Sequence, residues 1–189
     1  MTFEALCNSK NKPPYDNEPD ARVDFMRWAQ DCGMFKVYAE VAGHPMFRRA
    51  SHTKSTDFRV DFLLVPLDSR VQTGAIAVEV KSPGSNIGSA INQAMDYVNA
   101  VFFIPDTRVA VVPSISFVFP FAQQFGAVKS MMDSSRVGSI NFPHYGSQWC
   151  QMRFRYGNGC LIKMSRVGGV VSTEVNTNVL ATGRKRGSR

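Results

Sequence analysis

Two apolar runs, residues 58–66 (F-R-V-D-F-L-L-V-P) and 75–81 (A-I-A-V-E-V-K), have the length and β-branched content of strands, yet each carries charge. Asp61 stands in the first, Glu79 and Lys81 in the second. A charge in a strand interior needs a partner or a bound cation, because burying it alone is costly. Few arrangements of a chain like this meet that demand.

Side chains alternate along a strand, so Phe58, Val60, Phe62 and Leu64 are expected on one face and Arg59, Asp61, Leu63 and Val65 on the other. In the second run Ala77, Glu79 and Lys81 share a face opposite Ile76, Val78 and Val80. Glu79 and Lys81 then project side by side, about 7 Å apart along the strand. If the two strands are neighbours, Asp61 and Glu79 converge on one divalent cation, and an all-oxygen set with retained waters suits Mg²⁺ or Mn²⁺. The alternative is a buried ion pair that fixes strand register.

Around this centre the pattern is that of a mixed α/β chain. Residues 1–17, with Pro13 and Pro14, read as a flexible arm. From Glu18 onward Ala21, Phe25, Trp28, Ala29 and Cys32 recur at helical spacing, with Pro19 in the first turn and Gly33 as the stop. Residues 34–41 alternate as a strand closed by Gly43 and Pro45. Arg48, Arg49, His52 and Lys54 follow in a loop or hairpin that could grip phosphates or simply face water. Residues 86–102 read as one helix burying Ile87, Ile91, Ala94, Met95 and Val98, with Gln93 and Tyr97 spaced i, i+4 beside that stripe. An apolar strand at 109–120, helical or mixed sequence at 121–132 with Gln123, Gln124 and Lys129, and a hairpin or meander from 148 to 177 complete it. Arg153 and Arg155 share a face of that meander with Lys163 and Arg166 nearby, which suits a nucleic-acid backbone, although edge strands also carry charge to resist aggregation. Residues 18–180 are expected as one domain and 181–189 (A-T-G-R-K-R-G-S-R) as a basic disordered tail.

A net charge of +7 and a pI near 9.5 favour a polyanionic partner. Cys7, Cys32, Cys150 and Cys160 form no C-x-x-C pair, so neither a zinc knuckle nor a dense disulfide framework is indicated. No basic-plus-apolar leader and no spanning-length apolar run is evident, and a cytoplasmic protein without membrane contact is expected.

Asp61, a gap of seventeen residues, then Glu79-Val80-Lys81 resembles the PD-(D/E)xK nuclease superfamily, with Val60-Asp61 where the name-giving Pro-Asp would stand. Gln93-Ala-Met-Asp-Tyr97 resembles the Q-x-x-x-Y motif of its RecB-like exonuclease branch. The resemblance covers about half the chain and implies a restriction-endonuclease-like core of helix-strand-strand-strand-helix-strand, here with a C-terminal hairpin or meander. It implies metal binding by Asp61, Glu79 and the Val80 backbone carbonyl, a catalytic role for Lys81, and orientation of site or substrate by Gln93 and Tyr97. Members also use a glutamate on the first helix or an upstream histidine; Glu18 is the first choice, with Glu40 and His44 competing. The C-x-x-C of the iron–sulfur members is absent, so no iron–sulfur cluster is expected. The function implied is an Mg²⁺- or Mn²⁺-dependent deoxyribonuclease of viral, plasmid or repair type, acting on DNA or RNA, with Arg48, Arg49, Arg153 and Arg155 on the substrate; a homo-oligomer is compatible. The alternatives are a protein of this fold that binds nucleic acid without cutting it, and a structural protein whose basic face binds an acidic partner.

Overall fold

The computed structural model describes residues 15–46, 59–82, 85–120, 132, 134–144 and 149–181. It is a mixed α+β fold with one ten-stranded sheet. In chain order the elements are α1 (Glu18–Asp31), β1 (Phe35–Pro45), β2 (Arg59–Pro66), β3 (Ile76–Val80), α2 (Ile87–Tyr97), β4 (Ala100–Phe103), β5 (Ala110–Val111), β6 (Ile115–Phe119), β7 (Val137–His144), β8 (Trp149–Tyr156), β9 (Gly159–Val167), β10 (Val170–Val175) and α3 (Asn178–Ala181). Across the sheet the strands run β10-β9-β8-β7-β6-β3-β2-β1-β4-β5. β3, β6 and β7 are mutually parallel where they pair, and every other pairing is antiparallel.

One face of the sheet packs under α1. Ala21, Phe25, Trp28 and Ala29 are the buried face of that helix, at the spacing expected, and they join Phe62, Leu64, Val78, Val80, Phe119, Met152, Phe154 and Met164 in the main core. The Asn17 side chain caps the helix by accepting the N–H of Asp20. Tyr15 corrects the expected arm: it is buried, with its ring against Phe119 and Phe142, so packed structure begins before residue 17. The opposite face packs under α2 through Ala90, Ile91 and Ala94 on Val118 and Val137, and through Tyr97 on Val60, Leu63 and Phe102.

The expected helix over 86–102 is shorter. Asn86 is its N-cap, accepting from Gly88 and Ser89, and the helix stops at Tyr97; residues 100–103 form β4 instead. The apolar run through Phe102 continues the helical spacing, but β4 pairs with the end of β1 and buries Phe102 there. β1 makes this possible by changing partners, with residues 35–42 on β2 and 43–45 on β4. Gly43 sits at the change, where any Cβ would overlap the Phe102 ring. The single strand expected over 109–120 is two, β5 and β6, divided around Pro113.

The C-terminal meander is β7 through β10. Gly168 and Gly169 both have positive φ, 55° and 85°, the conformation of a two-residue hairpin turn that glycine takes without strain. A straight row crosses the sheet: Glu79 pairs with Val118, Val118 with Ser139, and Ser139 with Arg155. Directly paired residues point to the same face, so Glu79 and Arg155 share the α2 side.

Candidate active site

The pairing of β2 with β3 runs from Leu64–Ile76 to Phe62–Val78 and then ends. Beyond it the Asp61 carboxylate takes over: Oδ2 accepts the Val80 N–H at 2.6 Å. A side chain thus satisfies a backbone donor that a continued ladder would have satisfied, and the strand ends part around it. The simple alternation expected of β2 also breaks here. Val60 packs with Leu63 on the α2 side, while Phe62 and Leu64 pack with Phe25 and Trp28 on the α1 side. Across from Asp61 on β1, Glu40 has a left-handed backbone, φ 53°, which a non-glycine residue adopts only under local constraint.

Glu79 lies at the C-terminal end of β3, which is buried along its whole length, and is itself only 2 % exposed. Its Oε1 is 2.5 Å from Lys81 Nζ, and its Oε2 meets the Tyr97 hydroxyl. Burial, and then the negative charge of Asp61, push the Glu79 carboxyl up to about 7, against the opposing pull of Lys81 and Tyr97. Tyr97 Oη also reaches the Arg59 carbonyl oxygen at 2.9 Å. A phenol has one proton, and an ionised Glu79 and the Arg59 carbonyl are both acceptors. The two acceptors therefore share one donor. Burial and the Glu79 charge hold the Tyr97 phenol far above its ordinary range.

Lys81 follows the last residue of β3, its backbone N–H donating to the Phe119 carbonyl at 2.8 Å. Burial works against its charge, but the bond to Glu79, aided by Glu18 and Asp61, raises its pKa above the ordinary lysine value. At neutral pH it is therefore an ammonium ion.

Arg22 is the residue that sequence reasoning missed. From α1 its Nη1 donates to Asp61 Oδ1 at 2.8 Å, its Nη2 to Glu40 Oε1, and Glu18 Oε1 stands 3.9 Å away; the guanidinium lies over the Phe62 ring, 5.6 Å from its centroid. The only signal in the sequence is the i, i+4 spacing from Glu18.

Of the expected site residues, Asp61, Glu79, Lys81 and Tyr97 come together and Glu18 lies at the rim through Arg22. Gln93 does not join them. It is exposed on α2, whereas Tyr97 is buried, because one helical turn along the helix leans onto β2 and β3. His44 is exposed and stacks edge-on with Phe103 at the other end of β1. Arg48, Arg49, His52, Lys54, Gln123, Gln124 and Lys129 lie outside the described residues, as do Cys7 and residues 182–189.

On β8 and β9, Arg153 and Lys163 are directly paired and Arg155 is opposite Cys160. Arg153 Nε donates to Gln151 Oε1 at 2.7 Å, and Gln151, 5 % exposed, donates onward to Ser165 Oγ at 3.1 Å. Neither Arg153 nor Arg155 has a carboxylate partner among the described residues, and Lys163 pairs only with the exposed Glu174. Arg166 does not belong to this face: its guanidinium lies 4.2 Å from the Trp28 ring centroid and pairs with Asp31 on α1.

A divalent cation suits the donors by chemistry, since they are hard carboxylate oxygens, and by charge. Among the described residues, Glu18, Glu40, Asp61 and Glu79 are linked with two cationic side chains, Arg22 and Lys81. Among the described residues no three His, Cys, Asp or Glu side chains converge closely enough to hold a metal ion together. Arg22 and Lys81 stand on the carboxylates instead. No protein-family model, no curated protein and no solved structure matches this chain.

Proposed function

We propose that the chain is a metal-dependent nuclease that hydrolyses phosphodiester bonds in DNA, on a restriction-endonuclease-like core formed by α1, β1, β2, β3, α2 and β6. The observation that carries this reading is the meeting of Asp61, Glu79 and Lys81 where β2 and β3 part. A surplus of carboxylates at one point of a chain with net charge +7 needs a functional reason, and cation binding beside a polyanionic substrate supplies one.

Asp61, Glu79 and the Val80 carbonyl would hold Mg²⁺ or Mn²⁺, with Glu18 at the rim. When bound, the ion supplies Lewis-acid polarisation of a phosphoryl oxygen and acidifies its water. Lys81, a cation at neutral pH, stabilises negative charge developing on the phosphate and is not a general base in this state. Tyr97 fixes the orientation of Glu79 from α2. Arg153 and Arg155, on the same sheet face as Glu79, hold the substrate backbone away from the scissile bond.

A second reading, a nucleic-acid-binding protein that does not cut, is favoured by the engagement of both Asp61 oxygens by Arg22 and Val80 and both Glu79 oxygens by Lys81 and Tyr97. Incubating labelled DNA and RNA with Mg²⁺ or Mn²⁺ separates the two. Metal-dependent cleavage by the wild type, lost in Lys81→Ala, supports the nuclease. Binding without cleavage of any substrate supports the second reading.

A further inference from the structure

Arg22 holds Oδ1 of Asp61, an oxygen that a bound cation would need. Three carboxylates from three elements, Glu18 of α1, Glu40 of β1 and Asp61 of β2, close on its guanidinium, and the apolar Phe62 ring lies beneath it. The contact with Asp61 is a charge-assisted bond in a part-buried setting, stronger than an exposed surface pair. The Glu40 contact depends on a left-handed backbone at that residue, so the fold bears a local cost to bring Glu40 there. Nothing about register alone requires this, because β1 and β2 are already paired on both sides of the position.

We infer that Arg22 is the resident counter-ion of the site: it neutralises Asp61 in the metal-free protein and yields it to a divalent cation, withdrawing onto Glu40. This rests on the nuclease reading for the identity of the incoming ion. Glu40 is what makes the exchange feasible, since the guanidinium that leaves Asp61 keeps one carboxylate and is not stranded in a part-buried place. Arg22 thereby sets the cation concentration at which the site loads, as a positioning residue and not a catalytic one.

The test is a calorimetric titration of the full-length protein with Mn²⁺ alone, without nucleic acid, for wild type, Arg22→Gln and Arg22→Lys. Arg22→Gln should bind roughly threefold to tenfold more tightly than wild type, with Arg22→Lys between, as befits the loss of one competing charge-assisted contact. Thermal unfolding should show the counterpart: Arg22→Gln lowers Tm in EDTA and gains more Tm from Mn²⁺ than wild type does. A merely structural arginine gives the EDTA loss without the larger Mn²⁺ gain. Equal or weaker Mn²⁺ binding by Arg22→Gln overturns the inference and leaves the nuclease reading standing. Absence of Mn²⁺ binding in every protein overturns both. If Arg22→Gln does not fold, the double variant Arg22→Gln with Glu40→Gln removes the stranded carboxylate and is held to the same outcomes.

Discussion

The Asp61 carboxylate accepts the Val80 N–H at 2.6 Å from the neighbouring strand, so an acidic side chain serves as a rung of the sheet and as a charge of the site. The two duties can be separated by substitution. Asp61→Asn keeps one oxygen for the Val80 N–H but turns its NH2 group toward the Arg22 guanidinium and removes the charge; it should lose about 1–2 kcal/mol with the Arg22 contact and lose metal-dependent cleavage. Asp61→Ala leaves the N–H without its acceptor and should cost a further ~1–3 kcal/mol, read from chemical denaturation.

On the proposed nuclease reading, Glu79 should make stability and cleavage depend on pH in opposite directions. Its carboxyl titrates near 4.5 ordinarily and near 7 in the fold, so the folded state holds a proton that the unfolded chain releases between those values. The stability it contributes is fully present below about pH 4.5 and is lost as pH rises through about 7. Cation ligation needs the ionised form, so metal binding, and with it cleavage, should strengthen as pH rises. Glu79→Gln should flatten its share of the Tm-against-pH curve and abolish cleavage.

Tyr97→Phe keeps the ring, which packs edge-on against Phe102, and removes only the hydroxyl. About 1 kcal/mol of stability should be lost with the bond to the Arg59 carbonyl. Because the hydroxyl lowers the Glu79 pKa, its removal should move the rising limb of the pH–rate profile to higher pH. A profile that does not move would separate Tyr97 from the site's electrostatics.

Arg153→Ala with Arg155→Ala should weaken DNA binding and reduce the slope of log affinity against log salt by about 2, one phosphate contact for each arginine. The rate at saturating substrate should change little, since neither residue touches Glu79 or Lys81. Nitrocellulose filter binding across a salt series, alongside single-turnover cleavage, measures the two effects.

Much of the sheet's centre was legible because it follows local rules. Trp28 and Phe25 announce the buried face of α1, and Val78 and Val80 announce a strand. What failed were judgements that depend on contacts distant in sequence. The run through Phe102 continues a helical spacing, and only the turn of β1 at Gly43 makes it a strand. Lys163 and Arg166, three apart on a strand, face opposite ways, and the structure puts Arg166 on Trp28. Gln93 and Tyr97 share a helical face by spacing, but the sheet covers only the Tyr97 end. Arg22 could not be found from the sequence, because its partners lie eighteen and thirty-nine residues away and one depends on the left-handed backbone of Glu40.

The row Glu79–Val118–Ser139–Arg155 also sets a length. Three strand-to-strand steps separate its ends, which is about 14 Å of sheet, or about four base steps along one strand of duplex DNA. The sheet is in this respect a ruler. On the proposed nuclease reading a mononucleotide or dinucleotide would engage one end only, and a longer strand would be needed to reach both.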